Sequence, residues 1–305
     1  MLLGYACINK TLSDAHAKTK EYCVNRTCRK ATFEEKGLAY VSGLALSNVS
    51  AMEKILHWNE QEGIRFYRMS SDMIPWHSEY DLLDLPDHEA IIDTLARCGE
   101  FAKQHNHRIT YHPSPFVKIA SPKVNVQDNS VAELERHSQI MDLMGLDNSH
   151  QAKINIHIGA VYGSKEETAK MAFEGIKKLS LGVVSRLTFE NDDKGSLWSV
   201  KDLYELVYPL TKTPIVFDFH HHSLLTGGLE EQEALEMALD TWSKGIVPVT
   251  HYSQSRCVEH NDTKIKPQAH SDSYWAAPKT YGHNFDIMCE CKHKEQGLQK
   301  LRELL

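Results

Sequence analysis

Residues 215–221 read IVFDFHH: three apolar side chains in a row, then Asp218 and His221 at the end of the run. β-Branched and aromatic residues without alternation mark a strand buried on both faces, the habit of parallel sheets covered by helices. Outward along the chain the same construction returns. RITYH (108–112), INIH (154–157), RLTFE (186–190), PVTH (248–251) and DIMCE (286–290) are short runs closed by His112, His157, Glu190, His251 and Glu290. In an α/β barrel every strand ends on one face, and active sites lie there. One buried histidine or acid at a strand end is satisfied by local hydrogen bonds about as often as not. Seven imidazoles and carboxylates converging on one mouth need cations or one another.

The strand-like runs are 2–8, 64–70, 108–112, 153–159, 186–190, 214–219, 247–252 and 286–291. Amphipathic stretches at 47–62, 88–106, 130–147, 164–181, 199–208, 229–243 and 293–304 separate or follow them. Eight strands alternating with helices predict a (β/α)8 TIM barrel of the α/β class, with residues 1–305 as a single domain and the cluster at the C-terminal face. Ser47 is expected to open the first helix and Gly63 to stop it, with Asp87 and Ser164 opening later ones. Two connections are long, about 9–46 and 253–285, and long loops at a barrel's C-terminal face usually carry function.

Apolar content of 41% and charged content of 25% fit a soluble globular protein, and no apolar stretch approaches a membrane span. MLLGYACINK lacks a basic region ahead of a long apolar core, so it reads as a first strand rather than a secretory signal. Seven cysteines without a C-x-x-C pair argue against a four-thiolate zinc site and suit reduced thiols. The expected location is the cytoplasm, beside the nucleoid in a prokaryote, and the expected state is a monomer. A net charge of −7 counts mildly against DNA, although several acids would sit under metal cations. Residues 18–30, KTKEYCVNRTCRK, carry Lys18, Lys20, Arg26, Arg29 and Lys30 against one glutamate. This is a solvated loop on its plainest reading, and its charge also suits phosphates.

Imidazole plus carboxylate without thiolate suits zinc, manganese or iron alike. One zinc needs three protein ligands and a water. Seven ligands, or eight with His270 of AHSDSYW, therefore imply two or three divalent ions, with Glu190 and Glu290 able to bridge them. Such clusters generate hydroxide near neutral pH and clamp the attacking and leaving oxygens of an in-line displacement. Phosphodiester hydrolysis is the natural use. Proton or hydride movement in a bound sugar is the other, and the ligand count favours the first.

With these residues assembled, the chain resembles the UV damage endonuclease family. The resemblance runs through LLGYACIN, VNRTCR, RMSSDMIP, YHPSPF, NIHIGAVYGSKE, LTFEND, VFDFHHH, THYS, AHSDSYW and CECKHKE. It implies a metal-dependent DNA repair enzyme that acts on double-stranded DNA. The nick would fall immediately 5′ to a UV photoproduct and leave a 3′-hydroxyl and a 5′-phosphate. His112, His157, Glu190, Asp218, His221, His251, His270 and Glu290 match its metal-ligand positions, which hold up to three ions, often manganese. Glu190, Glu290 and His251 would serve catalysis. Tyr5 and Asn9 match residues near the lesion, and Asn25-Arg26 a candidate phosphate contact. Pro115 and Phe116 stand where the family carries a wedge, commonly Gln-Tyr, and an apolar wedge fills the gap left by unstacked bases. A second departure is Val249, where many members place a lysine that joins the cluster; Val249 neither ligates a metal nor grips a phosphate. An abasic-site endonuclease, a sugar isomerase and a non-cleaving damage sensor are the alternative readings. His220 and His222 are expected to be structural neighbours of the cluster, and Lys264 and Lys266 exposed loop lysines.

Overall fold

The computed structural model describes residues 1–305. Eight parallel strands close into a barrel in chain order. They are β1 (Leu3–Ala6), β2 (Phe66–Met69), β3 (Arg108–Tyr111), β4 (Ile154–Ile156), β5 (Leu187–Glu190), β6 (Ile215–Asp218), β7 (Val249–Tyr252) and β8 (Asp286–Cys289), with β8 pairing back onto β1. The fold is the (β/α)8 barrel. Almost every strand residue is buried, which is why the strands read as unbroken apolar runs rather than alternating ones. Register levels the strand ends: Asp218 on β6 pairs with His251 on β7, and Glu190 on β5 with Val216 on β6. No helix is long and apolar enough to cross a membrane.

The first connection departs from expectation. Most of it is helical, with a short helix at Lys10–Ala15 and a long one at Lys30–Gln61, kinked at Gly37 where φ is 66° and ψ is −164°. Ser47 is therefore not an N-cap. It lies inside the long helix and its hydroxyl donates to Gly43 O at 2.7 Å, the local back-bond that makes serine ambiguous in a sequence. Gly63, with φ of 64°, does follow the end of that helix. Asp87 precedes the helix His88–Gln104, but its carboxylate accepts from Ser42 Oγ at 2.7 Å instead of capping. Ser164 and Glu167 form a reciprocal capping box as expected. The helix expected from 130 begins at Val124. The stretch 199–208 is broken into Val200–Asp202, a widened π turn at Leu203–Val207, and Tyr208–Thr211.

Candidate active site

Glu190 is the hub. It ends β5 with 1% exposure, and four imidazoles surround it. His251 Nδ1 lies 3.0 Å from Oε2, His221 Nδ1 3.3 Å from Oε1, His112 Nε2 3.4 Å from Oε2 and His157 Nε2 3.8 Å from Oε1. Glu290, one residue past β8, comes within 3.2 Å of His251 Nδ1. Two overlapping ligand groups result, His112–His157–Glu190 and Glu190–Asp218–His251–Glu290, each with its atoms within 4.8 Å of one another. Glu190 belongs to both. The rings of His157 and His221 are 5.7 Å apart and those of His221 and His270 6.1 Å, so the remaining predicted ligands border the same mouth.

His112, His157 and His251 each turn one nitrogen toward Glu190 and the other toward a separate partner, as ligating histidines require. His112 Nδ1 is 3.1 Å from Pro113 O, His221 Nδ1 is 2.8 Å from Asn191 O, and His270 Nδ1 is 2.7 Å from Ser253 Oγ. His251 turns Nε2 toward Lys153 Nζ at 3.2 Å, and His157 Nδ1 is 3.1 Å from Asp192 Oδ1. Asp218 caps the helix Phe219–Leu224 through Oδ1, which accepts from His221 N at 2.7 Å. That helix also carries His220 and His222, both buried, so they are placed by helical rather than extended geometry. Asp218 Oδ2 is buried without a hydrogen-bond partner, and His251 Nδ1 points between two carboxylates with no hydrogen bond of its own. Such orphans cost stability unless something satisfies them. Divalent cations fit this donor set.

The electrostatics agree. Burial would raise Glu190, but the charges of His251 and His157 and the close imidazoles of His112 and His251 hold it well below the usual carboxylate range. Burial is likewise outweighed at Glu290 by Arg68 and His251. Burial pushes Asp218 up to about 7, against the pull of His221. His221 rises to about 9 despite its burial, because Asp218 and Glu190 face it. Burial takes His251 down to about 4.

Four contributors went unread in the sequence. Arg68 on β2 ion-pairs with Glu290, and Asn155 on β4 donates to Glu190 Oε2. Lys153, just before β4, is fully buried, and desolvation takes its ammonium down to about 7. Asn191 accepts from Asp218 N at 2.8 Å and donates to Asp218 O at 3.1 Å, fixing the β6 turn. Their only signal was a polar residue inside or beside an apolar run.

The expected DNA contacts are spread around the mouth. Pro115 is exposed and Phe116 is 81% exposed on the loop after β3. A cleft of about 550 Å³ lies beside β1, walled by Ile8, Lys20, Tyr22, Asn25, Arg26 and Tyr40. Two placements correct the reading. Tyr5 and Asn9 are fully buried, not open at the mouth: Asn9 Nδ2 donates to the Tyr5 hydroxyl at 3.0 Å, and that hydroxyl donates to Asn59 Oδ1 at 2.8 Å. Asn9 Oδ1 caps the helix Lys10–Ala15. Arg26 spends its guanidinium on the carbonyls of Lys20, Cys23 and Ser47, so it shapes the basic loop from within. Lys264 and Lys266 are exposed in the β7–β8 connection.

A closed parallel barrel that turns histidines and acids from five strand ends onto one shared glutamate at a sixth defines a TIM-barrel protein with a candidate multi-metal centre. The chain belongs to the UV-endonuclease UvdE family, which it matches over residues 1–305. It is 36% identical to the UV-damage endonuclease of Schizosaccharomyces pombe over 98% of this chain and 50% of that protein. It is 31% identical to the UV DNA damage endonuclease of Bacillus cereus over 100% of this chain and 94% of that one. The chain thus spans about half the length of its fungal relatives and nearly all of the bacterial one. The crystal structure of SacUVDE superposes with a TM-score of 0.84 at 29% identity, covering 100% of this chain and 98% of that one. Endonuclease IV from Thermus thermophilus, at TM-score 0.55 and 13% identity over 100% of this chain and 98% of its own, shares the fold.

Proposed function

We propose that this chain, acting as one domain and one subunit, is a metal-dependent endonuclease that hydrolyses the phosphodiester immediately 5′ to UV photoproducts in duplex DNA. The products are a 3′-hydroxyl and a 5′-phosphate. The observation that carries this reading is the pair of ligand groups sharing Glu190, in a chain of the UvdE family. His112, His157, Glu190, Asp218, His221, His251, His270 and Glu290 would hold two or three divalent ions, manganese first, with zinc and iron suiting the same ligands. Bound there, such ions supply Lewis acidity at the scissile phosphate and an activated water at neutral pH.

The protein's own part is positioning. Glu190 and Glu290 carry the negative charge, and His251 stands between them as the residue that sets their separation. Helix distortion lowers the cost of unstacking at a dimer, which supplies lesion selectivity. Phe116 and Pro115 fill the vacated stack, and Asn25 lines the neighbouring cleft for the backbone, on a loop that Arg26 holds in shape. In a prokaryotic cell the enzyme would work in the cytoplasm beside the nucleoid.

A nicking assay tests the reading, with three labelled duplexes carrying one cyclobutane pyrimidine dimer, one abasic site or no damage, each with Mn²⁺ and with EDTA. The expected result is a Mn²⁺-dependent cut 5′ to the dimer. Cutting of the abasic duplex alone, or no cutting with any divalent metal, would overturn it.

A further inference from the structure

We propose that Arg68 and Lys294 form a phosphate-binding pair beside the ligand cluster, gripping a backbone phosphate of the DNA strand that is cut. The assignment rests on the endonuclease reading above.

Lys294 lies in the turn between β8 and the helix Glu295–Arg302, at the ligand-bearing end of the barrel. Its backbone sits at φ 53° and ψ −124°, a conformation that residues with a Cβ avoid and glycine adopts freely. Strain of this kind persists where surrounding structure enforces it, and it gathers at functional sites. The enforcement is visible. Glu295, next in the chain and buried, accepts from Lys10 N at 2.9 Å and from Thr11 N at 2.6 Å, stapling the turn after β8 to the turn after β1. The turn after β1 is strained too. Cys7 has φ of 63°, and Ile8 N donates to Ala6 O at 2.8 Å across it, closing a tight γ-turn. β1 lies between β8 and β2, so these two turns and Arg68 are neighbours.

The side chains explain what the strain is for. Lys294 is half-buried, makes no ion pair or side-chain hydrogen bond, and follows Glu290, the partner of Arg68, by four residues. Arg68 gives one guanidinium edge to Glu290, while its buried Nε has no partner. Two cations bordering one carboxylate leave room for a second anion. Glu290 is the anion paired with Arg68, and it also lies 3.2 Å from His251 Nδ1 within the candidate ligand cluster. A phosphodiester is the missing group. Its two unbridged oxygens suit a guanidinium and an ammonium together.

Lys294 is the residue to test, because Arg68 touches Glu290 directly. Lys294→Gln, Lys294→Arg and Lys294→Gly are compared with wild type by steady-state nicking of the dimer duplex in Mn²⁺ across a salt series, with undamaged duplex as competitor. For Lys294→Gln, KM rises about tenfold with kcat little changed. The slope of log(kcat/KM) against log[salt] flattens by roughly one. The inhibition constant of undamaged duplex rises by the same factor, because a phosphate contact carries no lesion information. Lys294→Arg recovers most of the loss. Lys294→Gly binds as poorly as Lys294→Gln yet melts no lower than wild type. Unchanged KM and salt slope in Lys294→Gln, or a clear fall in the melting temperature of Lys294→Gly, would overturn the assignment while wild type still nicks. A wild type that does not nick overturns the endonuclease reading and this pair with it.

Discussion

Lys153 Nζ lies 3.2 Å from His251 Nε2 in the barrel interior, leaving His251 only Nδ1 to face Glu190 and Glu290. The amine that position 249 does not carry on β7 arrives instead from the residue before β4. It arrives at a cost, since burial takes it from an ordinary 10.5 down to about 7.

That shift sets a pH dependence. Below about 7 the lysine is protonated in both folded and unfolded chains, and the desolvation penalty is felt in full. Between about 7 and 10.5 the unfolded chain holds the proton and the folded chain does not, so this group makes stability rise with pH. Metal-free Lys153→Met is expected to exceed wild type by a few kcal/mol at pH about 6, with the advantage shrinking toward pH about 10. Urea titrations in EDTA at both ends check it. A variant less stable than wild type at the lower pH would make the amine a net stabiliser.

Glu190→Gln keeps the shape of the hub and removes the charge common to both ligand groups. Nicking is expected to fall below roughly a tenth of wild type. The circular dichroism spectrum stays the same and the number of bound ions drops. Ion counting on the dialysed proteins separates this outcome from simple misfolding, and residual nicking above a tenth with a full complement of ions would remove Glu190 from the catalytic role.

The cluster of candidate ligands was legible because most of its members stand at strand ends, where an imidazole or acid after an apolar run is conspicuous. Arg68 and Lys153 were not, because a cation in or beside such a run looks like an exposed edge until the barrel closes around it. The long helix Lys30–Gln61 was half hidden for a related reason. Gly37 breaks its helical backbone, and Ser42, Asn48 and Asn59, buried against polar partners, interrupt the apolar stripe of its inner face. Asn48 donates to Arg26 O at 2.9 Å and to Met73 O at 3.1 Å, while Asn59 receives the Tyr5 hydroxyl. Tyr5, read as a DNA contact, faces inward because Asn59, 54 positions away, claims its hydroxyl, and Arg26 because the carbonyls of Lys20, Cys23 and Ser47 claim its guanidinium.

Phe116 is 81% exposed, so truncating it removes almost no packing. Phe116→Ala is expected to change stability by less than about 0.5 kcal/mol. Its effect belongs on lesion binding, with affinity for the dimer duplex falling about tenfold or more if the ring replaces a stacked base. Competition binding with damaged and intact duplexes checks it. Equal losses on both would make Phe116 a general backbone contact rather than a wedge.

The opposite end of the barrel supplies the control. Arg108 opens β3 and Asp286 opens β8. Their side chains are 0% and 5% exposed, with Nη1 donating to Oδ2 at 2.9 Å. Arg108 also donates to the carbonyls of Val247, Gln151 and His150, and Asp286 Oδ1 accepts from Leu2 N at 2.6 Å. Asp286 precedes Glu290 by four residues, roughly 13 Å of strand, too far to touch the chemistry. Asp286→Ala strands a buried guanidinium and is expected to cost about 3–5 kcal/mol. Replacing both partners, as in Arg108→Met with Asp286→Leu, restores much of that loss, because the desolvation penalty disappears with the charges. Both variants keep wild-type kcat below their melting temperatures. Urea unfolding beside a nicking assay reads both quantities, and a fall in kcat in the folded double variant would mean that the two ends of the barrel are coupled.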